Sequence, residues 1–145
     1  VKLSSLKVDA AKIEGGAWVG NIPEMGDLRL KVCGLQNARF RRLQSKLTDA
    51  IPRAKRQGGR IDPDEMDRVT AICLRETVLM DWGGLENEDG SPLPYSKEVA
   101  GEYLTKPEFR RFREAVIYAA SVVGEDDAEA DKADEGNSPT ASAGP

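Results

Sequence analysis

Apolar residues recur at helical spacing in three parts of the chain. Phe40, Leu43, Leu47, Ile51 and Ala54 fall three or four positions apart, the spacing that lines one face of a helix. Asn37 precedes the run as an N-cap. Pro52 lacks a backbone donor, so this helix is predicted to end near Ala50 or to kink, with Gly58-Gly59 as its stop. Met66, Val69, Ile72, Cys73, Leu79 and Met80 form a second stripe. It opens on Asp62-Pro63-Asp64-Glu65, which reads as a cap, a proline at the first helical position and a Glu65 that closes a capping-box-like pattern. Glu76 falls near this stripe and is expected to pair with an arginine or to mark a partly exposed edge. The third stripe is Phe109, Phe112, Val116, Ala119 and Val123, with Arg110, Arg111 and Arg113 off it. Thr105-Lys106-Pro107-Glu108 reads as its capping box. A shorter helix is predicted from Ser96-Lys97-Glu98 to about Leu104.

One segment has a different period. Leu28, Leu30 and Val32 alternate with Asp27, Arg29 and Lys31, which marks a strand with one wet face. Ala17-Trp18-Val19 precedes it across a turn-like Asn21-Ile22-Pro23-Glu24-Met25-Gly26, so a β-hairpin is expected. An isolated hairpin is marginal in water, and this one must lie against helices. The rest of the first 35 residues reads as extended or irregular, and Asp81 to Tyr95 as a loop with Asp89-Gly90 as a turn. The fold class that follows is mainly α (α+β): a small domain of about four helices with an N-terminal β-hairpin.

The charge changes the picture at one end. Residues 125–145 hold seven acidic residues and one basic residue, and no Leu, Ile, Val, Phe, Tyr or Trp. Such a composition cannot offset the entropy of ordering, so the expected organisation is a folded domain over 1–124 and a disordered acidic tail over 125–145. Taking the tail from the chain's 21 basic and 25 acidic residues leaves 20 and 18, so the net −4 belongs to the tail and the body is slightly positive.

Candidate chemistry is sparse. The chain has no histidine, which removes the commonest general base, the commonest metal ligand and the partner of a Ser or Cys triad. Cys33 and Cys73 fall in apolar stretches with no CxxC pair, and read as reduced, buried small hydrophobes. Aligning Gly90 with the glycine of an EF-hand loop puts Leu85 and Ser96 at positions that need calcium ligands, so that match fails. Gly15-Gly16 and Gly58-Gly59 lack the spacing of a phosphate-binding loop. No catalytic, cofactor or metal site is assigned, and the expected role is not enzymatic. There is no apolar run long enough for a membrane span and no signal-peptide pattern at residues 1–17, from which a cytoplasmic location is expected.

Two features invite binding. Between Arg39 and Arg60 lie eight basic residues and one acidic residue, Asp49. That density suits a solvated helix face, an acidic protein surface, this chain's own acidic tail, or a phosphate backbone. Protein ranks above nucleic acid, because the only interleaved aromatic, Phe40, belongs to the apolar stripe. Trp82 and Tyr95 bracket the acidic loop, and large aromatics there either plug the core or anchor a partner. Plugging is the preferred reading. Trp82, Tyr95, Arg41, Arg42, Arg53 and Arg56 are the candidate partner-binding residues.

The loop carries a resemblance. Asp81-Trp82-Gly83-Gly84-Leu85, then Glu88-Asp89-Gly90, Pro92-Leu93-Pro94-Tyr95-Ser96, Ala100 and Tyr103-Leu104, with Pro107 and a last helix beyond, resembles the tail assembly chaperones of long-tailed bacteriophages. The likeness covers roughly Trp18 to Val123, and its specific part is Asp81 to Leu104. It implies a non-catalytic phage or prophage protein that binds the tape measure protein and recruits the major tail protein. The basic segment is no marker of that family. Two other roles compete: a structural tail or connector component, and a nucleic-acid-binding accessory protein using Arg39 to Arg60. Homo-oligomerisation is left open by the sequence.

Overall fold

The structure is a computed structural model and describes residues 1–125. A short 3-10 turn at Leu3–Leu6 leads into α1 (Ala10–Gly15), which the sequence reading left as irregular. Asp9 caps α1 by accepting from the Lys12 N–H. Helix α2 (Ala38–Asp49) starts at the expected Asn37 cap and ends before Pro52. Gly58 and Gly59, both at positive φ, then form the turn of a small hairpin, β3 (Arg56–Gln57) with β4 (Arg60–Ile61).

Helix α3 (Pro63–Cys73) opens on Asp62 as expected. Its capping box does not close: the Asp62 N–H bonds to the Lys55 carbonyl, while Glu65 pairs with Arg68. Helix α4 (Lys97–Thr105) is capped by Ser96. The capping box predicted at Thr105 is absent as well, because the Thr105 hydroxyl bonds back to the Gly101 carbonyl and the chain passes through a 3-10 turn at Pro107–Phe109. Helix α5 (Arg110–Val122) buries Phe112, Val116 and Ala119 as predicted, but Phe109 lies before its first turn and is 36% exposed.

The sheet has three strands in the order β1-β2-β5, with β1 (Ala17–Val19) and β2 (Arg29–Val32) forming the expected hairpin. Strand β5 (Leu79–Gly83) stands where the apolar spacing predicts the end of a helix and the start of a loop. After Cys73 the helix widens into a π turn, Leu74–Val78, and the Leu79 N–H closes it on the Leu74 carbonyl. The chain then passes into β5 with no connecting loop. Beside β2, Lys31 pairs with Asp81 but Val32 pairs with Leu79, so Met80 is an extra residue, a β-bulge. The bulge puts Leu79 and Trp82 on the same buried face and turns Met80 outward, 42% exposed. Met80 therefore leaves the predicted stripe.

The core lies between the sheet and the helices. Leu30, Val32, Val69, Cys73, Leu74, Ala100, Val116 and Ala119 are shut off from solvent. Cys33 is also buried, and burial pushes the Cys73 thiol above its ordinary pKa. Neither thiol should react with a water-soluble disulfide reagent in the folded protein, and both should react once it is unfolded. Fast labelling of one thiol under native conditions would show that its cover opens locally. No helix among the described residues is long and apolar enough to cross a membrane.

Candidate functional site

Two regions hold the residues singled out by the sequence. The first is the segment from β5 to α4. Trp82 is buried at 6% exposure. Its ring meets Tyr95 edge-on at 5.0 Å and Phe112 edge-on at 5.7 Å, and stacks on Tyr103 at 6.3 Å. The indole N–H donates to the Leu93 carbonyl at 2.8 Å, which pins the far side of the loop to the strand. Tyr95 reaches back to the Leu79 carbonyl with a long 3.5 Å contact, and burial raises its phenol pKa. Trp82 and Tyr95 thus close the loop onto the core, as the plugging reading expected, and neither ring projects as a free anchor.

The loop itself is built rather than slack. The Leu93 N–H bonds to the Leu85 carbonyl at 2.8 Å, and Glu86 bridges Pro92. At the tip, Asp89 accepts from the Ser91 hydroxyl at 2.6 Å and the Ser91 N–H at 2.9 Å, bonds that hold its carboxyl below the usual range. Gly84 enters the loop at φ +79°, and a Cβ there would collide with the Asp27 carbonyl, so only glycine fits. At the far end Glu76, on the π turn, pairs with Lys97 at 2.8 Å and with Arg75 at 2.8 Å. Those contacts, the Lys97 hydrogen bond first, draw its carboxyl below the ordinary range. The pairs are exposed and worth about 0–1 kcal/mol, so they orient α4 more than they stabilise it.

The second region is the outer face of α2 and the turn beyond it. Phe40 is buried and Leu43 and Leu47 are half-buried against the core, which leaves Arg41, Arg42, Ser45 and Lys46 on the opposite side. Ala38, Arg41, Arg42 and Ser45 line a shallow open depression of about 370 Å³. Arg53 and Lys55 follow in a 3-10 turn (Arg53–Lys55) and Arg60 on β4, all exposed. Among the described residues no carboxylate pairs with any of these six cations.

Two arginines of the basic segment do other work. Arg56, a candidate partner-binding residue, turns its guanidinium onto the Thr48 carbonyl and onto the Ile51 carbonyl at 3.3 Å. It serves the Thr48 carbonyl in the last turn of α2, where the helix dipole favours a cation, and the Ile51 carbonyl just beyond the helix. Arg39 lies across the Glu14 carbonyl at 3.2 Å and the Cys33 thiol at 3.1 Å. The free basic face is therefore Arg41, Arg42, Lys46, Arg53, Lys55 and Arg60. A lone arginine that caps a helix and one that faces solvent look alike in sequence, so only the fold separates them.

At its N-terminus α2 is held by Glu14, whose carboxylate accepts from the Ala38 N–H at 3.1 Å. Sequence reasoning missed this contact because α1 was not foreseen.

A family model described as YdaY prophage protein matches residues 35–137 of the chain. The match takes in α2, the basic face, the pinned loop and α5. No curated protein and no solved structure matches the chain.

Proposed function

The chain belongs to the YdaY prophage protein family, and on that premise we propose that it is a non-catalytic tail assembly chaperone of a prophage. In this reading it acts in the bacterial cytoplasm, covers the tape measure protein before the tail tube encloses it, and recruits the major tail protein. What supports it is the way the resembling segment folds. Asp81 to Leu104 runs as one unit: strand, pinned loop, Ser96-capped helix. The tryptophan, the Asp-Gly turn and the Pro-Leu-Pro-Tyr-Ser step each have a separate structural task within that unit. The segment then presents a fixed surface, and fixing a surface before binding spares the entropy cost of ordering it.

The test is co-expression with the tape measure protein of the same prophage. The expected result is a soluble complex of the two, and purified tails that lack this chain. A tape measure protein that stays insoluble would overturn the reading. Retention of the chain in finished tails would make it a structural component instead.

The unpaired cations favour a second reading, nucleic-acid binding. Its test replaces Arg41, Arg42, Arg53 and Lys55 with glutamine and leaves Arg56, which the helix end needs. For the unmodified protein we expect weak, non-specific DNA binding that falls steeply with salt. Tight sequence-specific binding, lost in the variant while the tape measure complex still forms, would replace the chaperone reading.

A further inference from the structure

We propose that the acidic segment 126–135 of this chain docks on its own basic face, along the outer side of α2 and the turn that follows. The charges match in kind and number. The segment carries Asp126, Asp127, Glu129, Asp131, Asp134 and Glu135 against a single Lys132. The face carries Arg41, Arg42, Lys46, Arg53, Lys55 and Arg60, with Asp49 its one acid. Six unpaired cations on a small surface repel one another, and a nearby polyanion relieves that repulsion.

The place where the described chain ends brings the two together. Gly124 leaves α5 at φ +88° and lies against α1: its carbonyl accepts from the Asp9 N–H at 2.6 Å, and a Cβ on it would meet the Ile13 side chain at 2.7 Å. Glu125 then bridges Val8. The other end of α1 is Glu14, whose carboxylate holds the first turn of α2. A six-residue helix is about 9 Å long, so the last described residue lies about one short helix from the start of α2 at Ala38, the turn that leads to Arg41 and Arg42. Ten extended residues span up to about 33–36 Å, while the 12-residue α2 is about 18 Å long. Residues 126–135 can therefore run the length of α2 and reach Arg53 and Lys55.

The contact is a reversible cover, independent of the chaperone reading. Exposed charge pairs are individually weak and screened by salt, so an acidic partner or a polyanion of higher charge density can take the face from the segment.

Paramagnetic relaxation in the full chain tests this. A spin label on Ala130→Cys reports on backbone amides, the native thiols being buried. At about 20 mM salt, where screening is weak, broadening is expected on residues 38–49 and 53–61 and not on α4 or the β1 edge. It should disappear at about 1 M salt. It should also disappear when the six acids are changed to their amides, and that full-length variant should bind a heparin probe roughly tenfold more tightly at low salt. Uniform broadening, broadening centred elsewhere, or broadening unchanged by neutralisation would each overturn the proposal. So would a gain in heparin affinity without localised broadening, because net charge alone explains that. Labelled chain mixed with unlabelled, isotope-enriched chain should show no transfer; transfer would assign the segment to a second copy.

Discussion

Replacing Trp82 with alanine is expected to lower the unfolding free energy by roughly 3–5 kcal/mol. The ring is buried at 6% exposure and is the hub of an aromatic group, touching Tyr95, Tyr103 and Phe112. Removing it leaves a cavity between β5, the loop and α5, and orphans the Leu93 carbonyl that accepts from the indole. A domain of this size has about 5–15 kcal/mol in hand, so the variant should be marginal. Trp82→Phe separates the two contributions. It keeps much of the packing and loses the hydrogen bond, with an expected cost of about 1–3 kcal/mol for the unsatisfied carbonyl. Hydrogen exchange at the Leu93 N–H should accelerate in both variants, because that amide closes the loop on Leu85. Chemical denaturation gives the free energies. A loss below about 1 kcal/mol for Trp82→Ala, far short of the cavity cost, together with loss of tape measure binding, would make the ring a partner anchor and not a plug.

The sequence is easiest to read where one period governs one element. Leu28, Leu30 and Val32 alternate without interruption, and all three are buried on β2. Phe112, Val116 and Ala119 recur at helical spacing and line the buried side of α5. Asn37, Asp62 and Ser96 all cap the helices they precede. These features are local, and local chemistry decides them. Reading fails at β5 for a physical reason. The π turn and the Met80 bulge together put Cys73, Leu74, Thr77, Val78, Leu79 and Trp82 in the core. Steps of three and four among them imitate a helix, while the backbone has already become a strand. Only pairing with β2, some 50 residues earlier, selects the extended form, and tertiary pairing of that kind overrides local preference.

The candidate sites divide in the same way. Trp82 and Tyr95 were legible as aromatics that close a loop, since their bulk and position leave few alternatives. The basic segment was legible as a charge density but not as a surface. Its eight cations serve three purposes: Arg56 caps α2, Arg39 crosses from α2 to Glu14 and Cys33, and the remaining six face solvent. Helix phase predicts which side Arg41, Arg42 and Lys46 take. Nothing in the sequence predicts that Arg56 folds back, because that depends on the 3-10 turn Arg53–Lys55 returning it to the end of α2. The disordered tail expected from composition lies, over residues 126–145, outside the described residues; Glu125, its first residue, is paired with Val8.

Asn37 should be the other sensitive position. It is fully buried, a place a polar side chain holds only when its hydrogen bonds are made. Its carbonyl oxygen accepts from the Phe40 N–H at 2.9 Å, and its amide donates to the Gly34 carbonyl at 2.7 Å and the Thr77 carbonyl at 3.0 Å. One side chain thus joins the end of β2, the start of α2 and the π turn before β5. Asn37→Ala removes the cap, worth about 1 kcal/mol, and strands the Thr77 carbonyl at about 1–3 kcal/mol, while the Gly34 carbonyl keeps the residue 37 N–H. A total near 2–4 kcal/mol is expected. Asn37→Ser keeps an acceptor for the cap and loses the bridge to Thr77, so it should fall between. Asn37→Asp keeps the cap but aims a carboxylate at two carbonyl oxygens. Burial and those oxygens raise its folded pKa above the unfolded value of about 3.9. The folded variant then binds a proton the unfolded chain does not, so its deficit against the natural protein should shrink as pH falls from 7 through that raised pKa. Denaturant titrations of the natural protein and the Asn37→Asp variant at pH 7 and at about pH 5, between the neutral range and the unfolded value, measure the difference. A deficit that does not change with pH would mean that the carboxylate has swung out to water and that its folded pKa is not raised.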